Sequence, residues 1–291
     1  MPKYDIKFYN IMRILRYVSD LHLEYIDCID GKSALNSLWD FKKDPNDIYY
    51  LALLGDIGNP FDKSIKKFFQ KISPIYDKIF YVPGNHEYYN LNKPYRSIDD
   101  FNSQLKNMCQ EFPNIILMNN EIYELDDISF IGSTLWSNIS ESKSNHISKS
   151  INDYHLIKKI DNNKLTKITI DDTNKWNTES IDYILNQLKN SIKPLIILTH
   201  HAPLFSDNIL GNYTADPCYI NSLNNEAFHN DLSKILNQPI IAWLYGHTHY
   251  TSKFIYNGII IATNQLGYSH ERNNFNPYAY IDIDQLLIDN L

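Results

Sequence analysis

Five times along this chain a short, continuously apolar run breaks off at a cluster of Asp, Asn, His and Gly, and that repetition limits the fold more than any other feature. Residues 14–18 stop at Ser19-Asp20-Leu21-His22, residues 48–54 at Gly55-Asp56-Ile57-Gly58-Asn59, and residues 79–82 at Pro83-Gly84-Asn85-His86-Glu87. Residues 195–198 stop at Thr199-His200-His201-Ala202-Pro203, and residues 240–245 at Gly246-His247-Thr248-His249. Short apolar runs without alternation read as strands buried on both faces. Between the early runs, 61–72 places Ile65, Phe68, Phe69 and Ile72 at helical spacing after Pro60, and 98–112 does the same with Phe101, Leu105 and Met108. Strand alternating with helix predicts a largely parallel sheet in the first half. Strand-like runs at 123–131, 254–263 and 278–283 predict added antiparallel strands in the second half. The polar stretch 137–177 reads as an insertion or flap, with a helix resuming at 176–188. The expected organisation is a loose leader over 1–11 and a single domain over 12–291.

In open α/β sheets, ligand sites form where loops leave the carboxyl ends of the strands. All five clusters lie at such ends, so Asp20, His22, Asp56, Asn85, His86, His200, His247 and His249 are expected to converge. Two carboxylates, one amide oxygen and five imidazoles form a mixed N/O donor set. That set suits Mn, Fe, Zn, Co or Ni better than Mg or Ca. The donors outnumber those one tetrahedral ion uses, which predicts two divalent or trivalent ions roughly 3.5–4 Å apart, with one carboxylate between them. Each motif alone has a bland reading, as a turn, a helix cap or a strand end. Six of the ten histidines, however, fall in these five clusters, a coincidence that fold maintenance does not explain.

Charge narrows the partners. Lys+Arg number 27 against 34 Asp+Glu, a net −7, which disfavours an extended nucleic-acid or anionic-membrane surface. Two divalent ions outweigh two aspartates and one hydroxide, so the site itself would still attract a small phosphate ester. No apolar run is long enough for a transmembrane helix. Cys28, Cys109 and Cys218 form no CxxC pair, consistent with a reduced, cytoplasmic protein.

Together, Asp20-x-His22, Gly55-Asp56, Gly84-Asn85-His86-Glu87, His200 and Gly246-His247-x-His249 resemble the calcineurin-like metallophosphoesterase superfamily, over about residues 17–250. The resemblance implies a four-layer α/β/β/α sandwich with two mixed β-sheets and a dinuclear centre at the strand ends. It implies that Asp20, His22 and His249 hold one metal and Asn85, His200 and His247 the other, with Asp56 bridging. His86 would then be the catalytic histidine beside the leaving group. The serine/threonine phosphatases of that superfamily carry Gly-Asp-x-x-Asp-Arg and Arg-Gly-Asn-His-Glu. Here Asn59-Pro60 and Pro83 stand where those motifs have their second aspartate and their arginines. A small-molecule phosphodiesterase or phosphomonoesterase, working through a metal-activated hydroxide, is therefore the leading expectation. A nuclease and a non-catalytic scaffold are the alternatives. Asn59, Glu87, His201, Tyr88 and Tyr89 are expected near the substrate pocket.

Overall fold

The computed structural model, which describes residues 11–25, 33–271 and 274–290, turns each apolar run into a strand. β1 (Arg13–Val18), β2 (Ile48–Leu54), β3 (Lys78–Val82) and β4 (Ile115–Leu117) run parallel, and β13 (Tyr280–Asp282) lies antiparallel at the outer edge of β1. The second sheet has the order β11 (Ser252–Tyr256), β12 (Ile259–Thr263), β10 (Ile240–Tyr245), β9 (Leu195–Thr199), β6 (Ser129–Ser133), β5 (Glu121–Glu124).

Period-two alternation sorts the strand residues into layers. Tyr17, Ala52, Leu54, Phe80 and Val82 of the first sheet meet Phe130, Ile196, Leu198, Ala242 and Leu244 of the second. Phe80 stacks on Phe130 across that gap at 4.4 Å. The opposite face of the first sheet is covered by helices. After the single turn α1 (Ser33–Asn36) come α2 (Lys63–Ile72) and α3 (Ile98–Gln110), which bury Ile65, Phe68, Phe69, Phe101 and Leu105 against Leu51, Leu53, Ile79 and Tyr81. α2 starts at Asp62, whose carboxylate caps Ser64 N–H; α3 starts at a capping box of Ser97 and Asp100. The outer face of the second sheet packs Ile197, Trp243 and Ile261 against Ile184 of α6 (Ile170–Asn190). The fold is thus the four-layer α/β/β/α sandwich, closed by α7 (Ile283–Asp289) beside β13.

The expected antiparallel strands are present, with β5 against β6, β11 against β12 and β13 against β1. Elsewhere the second sheet is parallel, through β6, β9, β10 and β12. Runs 123–131 and 254–263 each conceal a hairpin turn, the second at Asn257-Gly258, where both residues adopt positive φ. The insertion 137–177 has secondary structure of its own. It forms α4 (Glu141–Ser150), α5 (Asp153–Leu156) and the hairpin β7 (Lys158–Asp161)–β8 (Lys164–Lys167), and it buries Ile139, Ile147, Tyr154, Ile157 and Ile168 in the α2/α3 core. α6 begins at residue 170, not 176, because Thr169 and Asp172 form a capping box there. Residues 1–10 of the leader and Cys28 lie outside the described residues; Cys109 and Cys218 are free thiols. Among the described residues no helix is long and apolar enough to cross a membrane.

Candidate metal centre

The carboxyl ends of both sheets are tied to one another. Ser19 pairs in parallel with Gln265, Ser19 N–H donates to Asn264 O at 3.1 Å, and Gly267 N–H donates to Asp20 O at 3.0 Å. At these ends the chain turns through the left-handed region at Asp20 (φ 54°), His22 (47°), Asp56 (52°), His247 (73°) and His249 (49°). Such a conformation costs roughly 1–2 kcal/mol per non-glycine residue, and it concentrates where a site must aim side chains. Here it is held by His22 N–H on Asp56 O (2.9 Å) and His247 N–H on the Asp20 carboxylate (3.1 Å). Gly55, at φ 85°, lies so close to His200 that any Cβ would overlap the imidazole; a Cβ on Gly84 would overlap Asp56.

Among the described residues three donor groups result: Asp20, His22 and His249; Asp56, His200 and His247; and His22, Glu24 and His86, which shares His22 with the first. In the first, His22 Nε2 and His249 Nε2 face each other at 3.0 Å, and Asp20 Oδ1 is 3.4 Å from His249 Nε2. In the second, His200 Nε2 lies 2.9 Å from Asn85 Oδ1 and 3.3 Å from Asp56 Oδ1. His247 Nε2 lies 3.3 Å from Ala227 O, so Nδ1 is the ring nitrogen left for the site. Asp56 Oδ2 also lies 3.9 Å from His86 Nε2, and Asp56 O accepts from His22 N–H of the first group. All seven expected ligands and His86 therefore share one end of the sandwich.

The outer atoms of these donors are fixed too. His200 Nδ1 bonds Leu54 O at 2.8 Å, and His249 Nδ1 bonds Glu271 Oε2 at 2.6 Å. Asn85 donates its amide N–H to Asp153 Oδ1 at 2.8 Å, which leaves its carbonyl oxygen facing His200. Asp153 also accepts from Tyr89 O–H at 2.6 Å. Glu24 Oε1 lies 3.2 Å from His86 Nδ1 and 3.4 Å from His22 Nδ1. Outer partners of this kind set tautomer and aim.

Electrostatically the centre is short of positive charge. Burial pushes the His200 and His249 imidazoles down, yet Asp56 and Asp20 at the first, and Asp20 and Glu271 at the second, lift them to about 9 and about 10. Burial likewise pushes Asp56 up, but the charges of His200 and His86 hold it well below the usual carboxylate range. His247 is driven well below an ordinary histidine by burial, then by His201 and His200.

A cavity of about 360 Å³ opens over the centre, lined by Asp56, Asn85, His86, Tyr89, His247 and His249 from the strand ends. Residues 150–153 of the insertion form one wall, Tyr219, Asn224, Asn225 and Phe228 another, and Tyr268 and Glu271 a third. Among the described residues no lysine or arginine lines it.

Of the expected pocket residues, Tyr89 lines the cavity, and Asn59, Glu87, His201 and Tyr88 do not. Glu87 is fully buried and accepts from the N–H groups of Asp56, Ile57 and Gly84 and from Tyr81 O–H, pinning the loop after β2 to the loop after β3. His201 points back under His247, with ring centroids 4.1 Å apart and its Nδ1 on Thr134 O. Burial, then the charge of His200, lowers its pKa to about 3. Asn59 spends its amide on Tyr89 O and Phe61 N–H, and Tyr88 donates to Asn102 behind the site. Sequence reasoning missed Glu24, Asp153, Tyr268 and Glu271. Only Glu24 had a local signal, continuing the alternation Asp20-x-His22-x-Glu24.

A family model described as calcineurin-like phosphoesterase matches residues 15–251. Among solved structures, the chain is similar to the phosphopantetheinyl hydrolase PptH of Mycobacterium tuberculosis at 16% identity and TM-score 0.65, over 88% of this chain and 90% of that one. It is also similar to TT1561 of Thermus thermophilus at 11% identity and TM-score 0.52, over 94% and 96%. At these identities the likeness concerns the fold.

Proposed function

The chain belongs to the calcineurin-like phosphoesterase family, hydrolases of phosphate esters, and from that premise we propose a two-metal phosphohydrolase of small phosphodiesters or phosphomonoesters. The observation that carries this reading is that the group of Asp20, His22 and His249 and the group of Asp56, His200 and His247 share one end of the sandwich, beneath one cavity. The donor set fits borderline divalent cations: neutral His247, amide-fixed Asn85, two carboxylates, and imidazoles whose outer nitrogens are already bonded. Asp20, His22 and His249 would hold one ion, Asn85, His200 and His247 the other, and Asp56 would serve both. Cations there supply Lewis-acid polarisation of the phosphoryl group and activation of water at neutral pH.

The remaining work falls to side chains of the pocket. His86 Nε2 faces the cavity, 3.3 Å from Tyr268 O–H, and would give its proton to the departing oxygen, a role worth roughly 10²–10⁴-fold. Tyr219, Phe228 and the amides of Asn224 and Asn225 would receive the organic part of the ester. Without lysine or arginine in the described lining, substrates carrying a single phosphate are favoured over polyanions, and a nuclease over long nucleic acid is disfavoured.

The test is hydrolysis of bis-p-nitrophenyl phosphate and p-nitrophenyl phosphate by chelator-stripped protein before and after adding Mn, Co or Zn. Metal-dependent turnover that His86→Ala lowers 10²–10⁴-fold for an alkyl leaving group, and less for p-nitrophenolate, is expected. Turnover that survives stripping would overturn the reading.

A further inference from the structure

We propose that Glu24 is the positioning residue of His86, a carboxylate supplied from the turn after β1 that holds Nδ1 and thereby aims Nε2 at the leaving oxygen. The inference rests on the reading of His86 given above.

Glu24 sits in a turn fastened to the neighbouring loop by His22 N–H on Asp56 O and Leu23 N–H on Ile57 O, both 2.9 Å. Its side chain is 3% exposed. Burying a carboxylate is costly unless it is paired, and packing gives no reason for one among Leu21, Leu23 and Ile57. Its hydrogen bonds go to two imidazoles: Oε1 is 3.2 Å from His86 Nδ1 and 3.4 Å from His22 Nδ1, while Oε2 has no partner among the described residues. The His86 ring is clamped in that orientation by Tyr89, at a centroid separation of 4.1 Å. With Nδ1–H donated to Glu24, Nε2 is the nitrogen turned to the cavity, beside Tyr268 O–H and Asp56 Oδ2, so the imidazolium would give its Nε2 proton to the leaving oxygen and be left as the neutral Nδ1–H form. Asn59 cannot take this part, because its amide is engaged by Tyr89 O and Phe61 N–H. A carboxylate on the far nitrogen fixes the tautomer of a histidine, and the wrong tautomer disables it even where the geometry survives.

Two measurements test this. In ¹⁵N-histidine correlation spectra of the zinc-loaded wild-type protein, His86 should carry its proton on Nδ1 when neutral; an Nε2–H tautomer would overturn the proposal. The second is a double-mutant cycle of Glu24→Gln and His86→Ala, assayed with alkyl and p-nitrophenyl leaving groups alongside metal content. Glu24→Gln should keep full metal content and lose at least about 10-fold in kcat for the alkyl group, within the range for a lost general acid. The loss should be smaller for p-nitrophenolate, and adding His86→Ala should cost little more, as for residues acting as a unit. Metal loss, equal defects for both leaving groups, or additive losses would show that Glu24 serves His22 or the fold instead. A normal His86→Ala enzyme would remove the His86 reading and this proposal together, whereas a defective His86→Ala beside a normal Glu24→Gln would remove this proposal alone.

Discussion

Replacing Gly55 by alanine separates two costs that the centre imposes on its backbone. Gly55 has φ 85° and packs against the His200 imidazole, whereas Gly258, in the β11–β12 turn, has φ 81° and open space around its Cβ position. Alanine at Gly258 should meet only the left-handed penalty, roughly 1–2 kcal/mol. Alanine at Gly55 meets the same penalty and also displaces the imidazole, breaking its 2.8 Å bond to Leu54 O. Overpacking of this kind adds typically 1–3 kcal/mol, so Gly55→Ala should lose about 2–5 kcal/mol. Urea unfolding of the chelator-stripped proteins reads both losses, and metal analysis of the loaded proteins reads the site. Gly55→Ala should unfold at clearly lower urea than Gly258→Ala and lose metal at the His200 site. Equal stability of the two variants, with full metal content in both, would refute the claim that close approach to His200 requires glycine here.

Three further outcomes are expected. Asp56→Asn should lower metal content at both sites and Asp20→Asn at one only, as elemental analysis of the two variants would record. Asp153→Ala frees the Asn85 amide to turn over; metal titration should show affinity at one site falling about 10–100-fold, and unchanged affinity would contradict the orienting role. His229 is held near pH 4 by burial, below its unfolded value of about 6.5. The unfolded chain therefore binds more protons below pH 6.5, and this contribution, roughly 3 kcal/mol, is complete above 6.5 and lost as pH falls toward 4. His229→Phe should flatten the stability–pH curve over that range by about one proton, and an unaltered slope would remove His229 from the account.

The strands and first ligands were legible because both signals are local. A run such as 48–54 needs no alternation when helices cover one face and a second sheet the other, and each run ends where its donor begins. The parallel pairing of β6, β9, β10 and β12 was not legible, because strand direction is set by the long connections between those strands; the hairpin turns did carry local marks, Asp126-Asp127 and Asn257-Gly258. Nor was the packing of 137–177, where a few apolar residues among many Ser, Asn and Lys suffice to cover α3. Adjacency misled at Glu87 and His201. Where a strand ends, neighbouring residues point to opposite sides, so His200 faces the centre while His201 lies beneath it. Asp153 and Glu271 carry no local mark; their role exists only once Asn85 and His249 are brought to them.

The central claim is that Asp56 stands between two cations. Anomalous diffraction at the absorption edge of the loaded metal tests it directly. Two peaks roughly 3.5–4 Å apart are expected, one beside Asp20, His22 and His249, the other beside Asn85, His200 and His247, with Asp56 in reach of both. A single peak, or peaks away from Asp56, would contradict it.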